Sequence, residues 1–286
     1  MDPVTGLVTA HKIPVGPWLN AGMNALKDGS GLFFDDVSDG LSFLIDHSVA
    51  GLGALPPPVF CLLVAGLAFA LRRSWPLALF ALAALLFILN QGYWRETVTT
   101  LVITFYATAA SMLVGVPVGI LAGHSRALAR ALRPVLDLMQ TLPTFVYLIP
   151  MLSLFGLGVV PGIIATVIFA VPAPIRMTQL GIASVPLPLR EAGEAFGATP
   201  WQLLRKVELP HALPAIMEGL TQAIMLALSM SVIATMVGSG GLGVPVLRSL
   251  NQVRPAMGFE AGIAIVLVAV LLDRLFRRPA AGPVAP

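Results

Sequence analysis

Seven apolar runs, most of them close to the ~20 residues a helix needs to cross a bilayer, dominate this 286-residue chain. They lie at roughly 52–71, 75–94, 97–122, 134–155, 159–176, 212–237 and 256–273. Backbone inside lipid must satisfy its own N–H and C=O groups, so runs of this length specify helices. The expected fold is all-α, a polytopic transmembrane helical bundle of about seven spans. Only 11% of the residues are charged, against about 25% in a soluble domain. The fifth run is short and contains Pro161, Pro172 and Pro174, so its ends are the least defined. The second ends in Tyr93-Trp94, an aromatic pair suited to the headgroup level.

The placement of basic residues sets the expected orientation, because loops rich in Lys and Arg stay in the cytoplasm. With the N-terminus outside, the inner segments carry Arg72, Arg73, Arg126, Arg130, Arg133, Arg176, Arg190, Arg205, Lys206, Arg274, Arg277 and Arg278. The outer segments keep Lys12, Lys27, Arg95, Arg248 and Arg254. Twelve against five predicts N-out, C-in. Residues 1–50 then lie outside as an amphipathic segment. "PWLNAGMNALKDG" and "FFDDVSDGLSFLIDHSV" both place apolar residues at helical spacing with acidic ones between, as interfacial helices do. No signal-peptide pattern is visible in this stretch, which is polar and mixed.

"REAGEAFGATPWQLLRKVELP", Arg190 to Pro210, interrupts the apolar second half with six charged residues. Leu189, Ala192 and Phe196 share one helical face. Gly197 follows, the residue that most easily takes the left-handed conformation that ends a helix. Thr199, Pro200 and Gln202 then provide an N-cap, a first-turn proline and the partner of a capping box. The pattern predicts helix, glycine hinge, helix, with the second helix running to about Glu208 and stopped by Pro210.

Glu191-Ala192-Gly193, three residues, Gly197, nine residues, then Val207-Glu208-Leu209-Pro210 resembles the signature EAA-x3-G-x9-I-x-L-P of the membrane subunits of bacterial ABC importers. Gly193 stands where that signature has a second alanine, and Val207 where it has isoleucine. "MQTLPTFVYLIP", "FGLGVVPGIIATVIFAVPAPIR", "MLALSMSVIATMVGSGGLG" and "LLDRL" extend the likeness over residues 94–276. They resemble the permease subunits for glycine betaine, proline betaine and choline. The resemblance implies a type I importer permease fold at 95–276, after the N-terminal segment 1–50 and two accessory helices at 51–94, with a cytoplasmic tail at 277–286. It makes 178–211 the coupling loop, with Glu191, Ala192, Gly193, Gly197, Val207, Leu209 and Pro210 as its signature residues, seated in a cytoplasmic ATPase subunit. It further implies a substrate-binding protein outside, two permease copies forming the pore, and the bacterial inner membrane as location.

Polar residues inside spans are costly if they face lipid. Gln140, Thr141, Glu218 and Gln222 are therefore candidates for the translocation path, with Asp137 beside them; pairing or snorkelling is the alternative for each. Phe145 and Tyr147 could face a quaternary ammonium by cation–π contact, with core packing the competing role. "GSGGLG", Gly238–Gly243, matches a dinucleotide fingerprint in form, but follows a span instead of a strand and reads as a tight external turn. No GxxxxGK[ST] occurs, so ATP belongs to a separate polypeptide and no cofactor is expected here. Cys61, the only cysteine, and His11, His47, His124 and His211 show no metal-ligand spacing. His124 and His211 flank membrane boundaries and read as solvated. The basic residues sit at segment ends and form no face for nucleic acid. An ion-coupled secondary transporter, a membrane scaffold and an ABC permease for another solute such as an amino acid are the rival readings.

Overall fold

A computed structural model describes residues 14–277. Among them every regular element is helical, in line with the all-α expectation. Four helices are long and apolar enough to cross a membrane by themselves. The first is α4 (Trp94–His124). The second joins α7 (Val159–Ala170) to α8 (Pro172–Ala183). The third runs from Pro200 to Val237, and the fourth is α13 (Pro255–Phe276).

The N-terminal elements depart from simple spans. α1 (Val15–Gly53) is kinked at Ser30, whose φ of −141° is not helical, so the two amphipathic stretches form separate arms. The second arm is no free interfacial helix. Ile45 is buried with Val102, Ile103 and Ile163, and Phe34 meets Phe155 edge-on at 5.3 Å. α2 (Pro57–Arg72) follows at 99° to α1. α3 (Trp75–Asn90) has 16 residues, about 24 Å of helix, and ends before Tyr93-Trp94. That aromatic pair opens α4, because Gly92, at φ +80°, turns the chain first.

The fourth apolar run is broken. α5 (Arg126–Thr141) and α6 (Thr144–Phe155) meet at 95°. Leu142 precedes Pro143, which disfavours the helical region for it, and Leu142 is extended at ψ 134°. The fifth run is longer than its prolines suggest: Val171 keeps helical angles ahead of Pro172, and the helix continues to Ala183.

Glycines set the centre of the molecule. Gly115, Gly119 and Gly123 recur every fourth residue on α4 and lie against α8. A Cβ at Gly119 would stand 2.6 Å from the Thr178 Cβ and 2.7 Å from the Ile175 carbonyl oxygen. One at Gly115 would meet Pro174 at 2.6 Å, and one at Gly123 Ile182 at 2.7 Å. Lipid supplies no hydrophobic drive between helices, so this close approach is what binds them. α11 (Leu209–Ala234) closes on α8 in the same way, with Gly181 against Ala212 and Gly219 against Met177. Around this core, Cys61, Ala68, Leu85 and Ile88 of α2 and α3 pack with Ile224, Leu228, Ala264, Val268 and Leu271 of α11 and α13.

Candidate functional site

The polar insert forms an ordered elbow. α9 (Leu187–Ala195) starts on Pro186 and Pro188, and its end is closed by two reversed bonds. The Gly197 N–H donates to the Glu194 carbonyl at 2.8 Å and the Ala198 N–H to the Gly193 carbonyl at 3.1 Å. This pair of bonds requires a left-handed residue, and Gly197 supplies it at φ +77°. Thr199 and Gln202 then make the expected capping box at the start of α10 (Pro200–Leu203). Gly193 lies where the two arms touch: a Cβ there would come within 2.7 Å of Leu203 Cδ1. An alanine there would need only a shift of the Leu203 side-chain tip.

Pro210 does not stop the second arm. Leu204–Glu208 widen into a π turn and the chain continues into α11. Pro210 has no N–H to seek the Lys206 carbonyl, and the wider turn leaves room for its ring. Val207 and Leu209 are half-buried, the latter against Ile182, Ala212 and Ile216, while Glu191, Ala192 and Pro210 are exposed. Four other apolar side chains of the elbow turn outward: Phe196 is 92% exposed, and Leu187, Leu189 and Trp201 are exposed with it. No described residue covers them.

Beneath the elbow lies a charged cluster that sequence reading missed. Glu208 is 2% exposed. Its Oε2 lies 2.7 Å from His124 Nε2, and its Oε1 3.1 Å from Arg190 Nε. Arg190 Nη2 donates to the Ile182 carbonyl at 2.5 Å. His124 is exposed, as expected at a boundary, but it is also a partner of the elbow, through a contact spanning 84 positions that no local pattern reveals.

The path candidates fall into two groups. Gln140 and Thr141 are exposed at the end of α5, with the Thr141 hydroxyl donating to the Leu138 carbonyl at 3.1 Å, and Phe145 is exposed on α6. Tyr147 is buried, its hydroxyl donates across the break to the Met139 carbonyl, and its ring meets Phe169 at 5.9 Å. It packs the core. Glu218, half-buried, and Gln222, exposed, share one α11 face with Met225 and Ser229 at helical spacing. Nothing in the sequence points to Ser229, because one serine in an apolar run carries no signal. Asp137 forms an ion pair with Arg176 at 2.6 Å. None of the six candidates lines the large cavity, about 800 Å³, which Leu85, Leu101, Phe105, Leu220, Leu271 and their neighbours make almost wholly apolar.

At the opposite end of α4, Gly238, Gly240 and Gly241 all have positive φ, as a tight turn needs. The turn is pinned by the Leu242 N–H, which donates to the Thr100 hydroxyl at 2.8 Å. It leads from a short 3-10 turn into α12 (Gly243–Asn251), so the fingerprint has no strand before it.

Residues 115–278 match the family described as binding-protein-dependent transport system inner membrane component. The chain belongs to that family. This permease is 45% identical over 264 residues to the glycine betaine transport system permease protein OpuAB of Bacillus subtilis, covering 92% of this chain and 93% of that one. It is 40% identical over 271 residues to the glycine betaine/proline betaine transport system permease protein ProW of Escherichia coli, covering 93% and 75%. Among solved structures, an inward-facing MetNI methionine ABC transporter superposes with a TM-score of 0.58 at 26% identity, covering 67% of the permease and 96% of that chain. The permease is thus a multi-pass inner membrane transport component with the fold of type I ABC importer permeases.

Proposed function

We propose that this permease is the membrane subunit of an ATP-driven importer of quaternary ammonium compatible solutes, glycine betaine foremost. The observation that carries this reading is the 45% identity to a glycine betaine permease over nearly the whole of both chains. The permease binds no cofactor and makes no covalent change. ATP is bound and hydrolysed on a separate cytoplasmic subunit, and a binding protein delivers solute to the outer face. The chain is oriented N-out, C-in, which puts the glycine turn on the outer side and the elbow inside.

The elbow is the element that the ATPase grips. Phe196, Leu187, Leu189 and Trp201 are apolar, exposed and held on capped helices, as a surface buried by a soluble partner should be. Two copies of the permease form the path between them. The face of Glu218, Gln222, Met225 and Ser229 is too polar for lipid and supports a lining that a second copy completes, to which Gln140, Thr141 and Phe145 of the chain's broken span would add. Tyr147 serves this path by packing its wall. ATP binding closes the partner subunits, the elbows follow, and the path changes the side on which it opens.

Expression of the permease with its ATPase and binding protein, in cells lacking every other betaine carrier, tests the reading. Accumulation of labelled glycine betaine that collapses on ATP depletion but survives loss of membrane potential is expected. Uptake of methionine or another amino acid in place of any betaine overturns the solute; uptake that follows the membrane potential overturns the ATP-driven mechanism.

A further inference from the structure

We propose that Glu208 is a positioning residue which locks the elbow to the ends of two spans, so that motion of the elbow and motion of α4 and α8 are one motion. The proposal rests on the elbow being the coupling element. Glu208 occupies the one position of Val207-Glu208-Leu209-Pro210 that the importer signature leaves free, so that signature does not account for it.

The geometry is that of a three-way joint. The two carboxylate oxygens serve different elements: Oε2 takes His124, the last residue of α4, and Oε1 takes Arg190 of α9. Arg190 extends the joint to a third element by donating to the carbonyl of Ile182, near the end of α8. The His124 ring is itself fixed, because Nδ1 lies 2.9 Å from the Ile120 carbonyl and must donate to it. Arg190 Nε approaches off the line of its N–H, so that contact is an ion pair and not a hydrogen bond.

Burying a carboxylate this deeply gives little net stability, since desolvation offsets most of the attraction. An apolar side chain of similar size would fill the site at less cost. What the charges supply is geometry: they define one register of elbow against spans and penalise every other. The π turn serves the same end. One extra residue per turn rotates the downstream helix by about 100° relative to a plain α-helix, and Glu208, the last residue of that turn, faces inward.

The experiment uses the assembled transporter in proteoliposomes with glycine betaine as the solute. Glu208→Gln and Arg190→Gln are made singly and together, and three quantities are read: solute moved per ATP hydrolysed, KM for betaine, and hydrogen exchange of the amides from Leu187 to Leu203. Each single variant should speed exchange about tenfold and lower solute per ATP about fivefold at unchanged KM, the range of a modest coupling free energy. The double variant should lose less than the sum of the two single losses, because both remove the contact between Glu208 and Arg190. Unchanged exchange with unchanged solute per ATP overturns the proposal, as do losses that add in the double variant. Should Glu208→Gln fail to reach the membrane, Arg190→Gln, at a side chain 25% exposed, decides the matter by the same readouts. Phe196→Asp separates this proposal from the reading beneath it. If that variant still co-purifies with the ATPase at the wild-type ratio, the elbow is not the docking element, while the exchange data still judge the joint.

Discussion

At the scale of single residues, Gly197 carries the sharpest expectation. Its φ of +77° is a conformation that costs a residue with a side chain about 1–2 kcal/mol, and a Cβ there would meet nothing within 4 Å. The penalty of Gly197→Val is therefore backbone strain, confined to the elbow. The variant should insert at normal abundance and lose co-purification with the ATPase and solute-stimulated ATP hydrolysis. Full coupling in this variant would show that the bend is not used, and loss of the protein from the membrane would assign Gly197 to folding. Gly197, Thr199 and Gln202 were legible in the sequence because their signature is local, a few residues long and written in backbone preference. Pro210 misled for a related reason. Proline ends most helices, but whether a π turn accommodates it depends on contacts the neighbouring letters do not state. Nothing local in the sequence links Glu208, Arg190 and His124, since only the folded chain brings position 124 to position 208.

At the scale of elements, apolar length located the membrane helices well where packing agreed with it, as in α4 and α13, and less well where it did not. The run 134–155 reads as one span and folds as two helices at 95°, since hydropathy is blind to the backbone restriction that Pro143 places on Leu142. The glycine series on α4 escapes a reading by hydropathy because its residues lie in a run already explained by lipid. Its packing can be tested directly. Gly119→Leu forces a side chain against the Ile175 carbonyl and Thr178, an overpacking that costs about 1–3 kcal/mol. Thermal unfolding in detergent should begin at lower temperature and the monodisperse fraction should fall. Gly66→Leu, where a Cβ meets nothing within 4 Å, should leave both unchanged. Equal behaviour of the two variants would mean that α4 and α8 are not held by close approach.

At the scale of the whole molecule, the proposed orientation can be read by chemical labelling with little background, because the sole cysteine, Cys61, is fully buried. Gly29→Cys should react with an impermeant thiol reagent added outside intact cells, and Gln202→Cys should react only after the membrane is opened. The opposite pattern would invert the topology and remove the elbow from the ATPase. The twelve-to-five charge asymmetry is legible in the sequence, and labelling tests the side it assigns. Because the chain passes through the π turn without a break, the two faces of the membrane are joined by a single rod. The helix from Pro200 to Val237 has 38 residues and is about 57 Å long, with the elbow at one end and the glycine turn at the other. Tilted by about 5° around the glycine turn, a rod of that length sweeps its far end through an arc of about 5 Å. A small angle at one face of the membrane is thereby a displacement of roughly one helical pitch at the other.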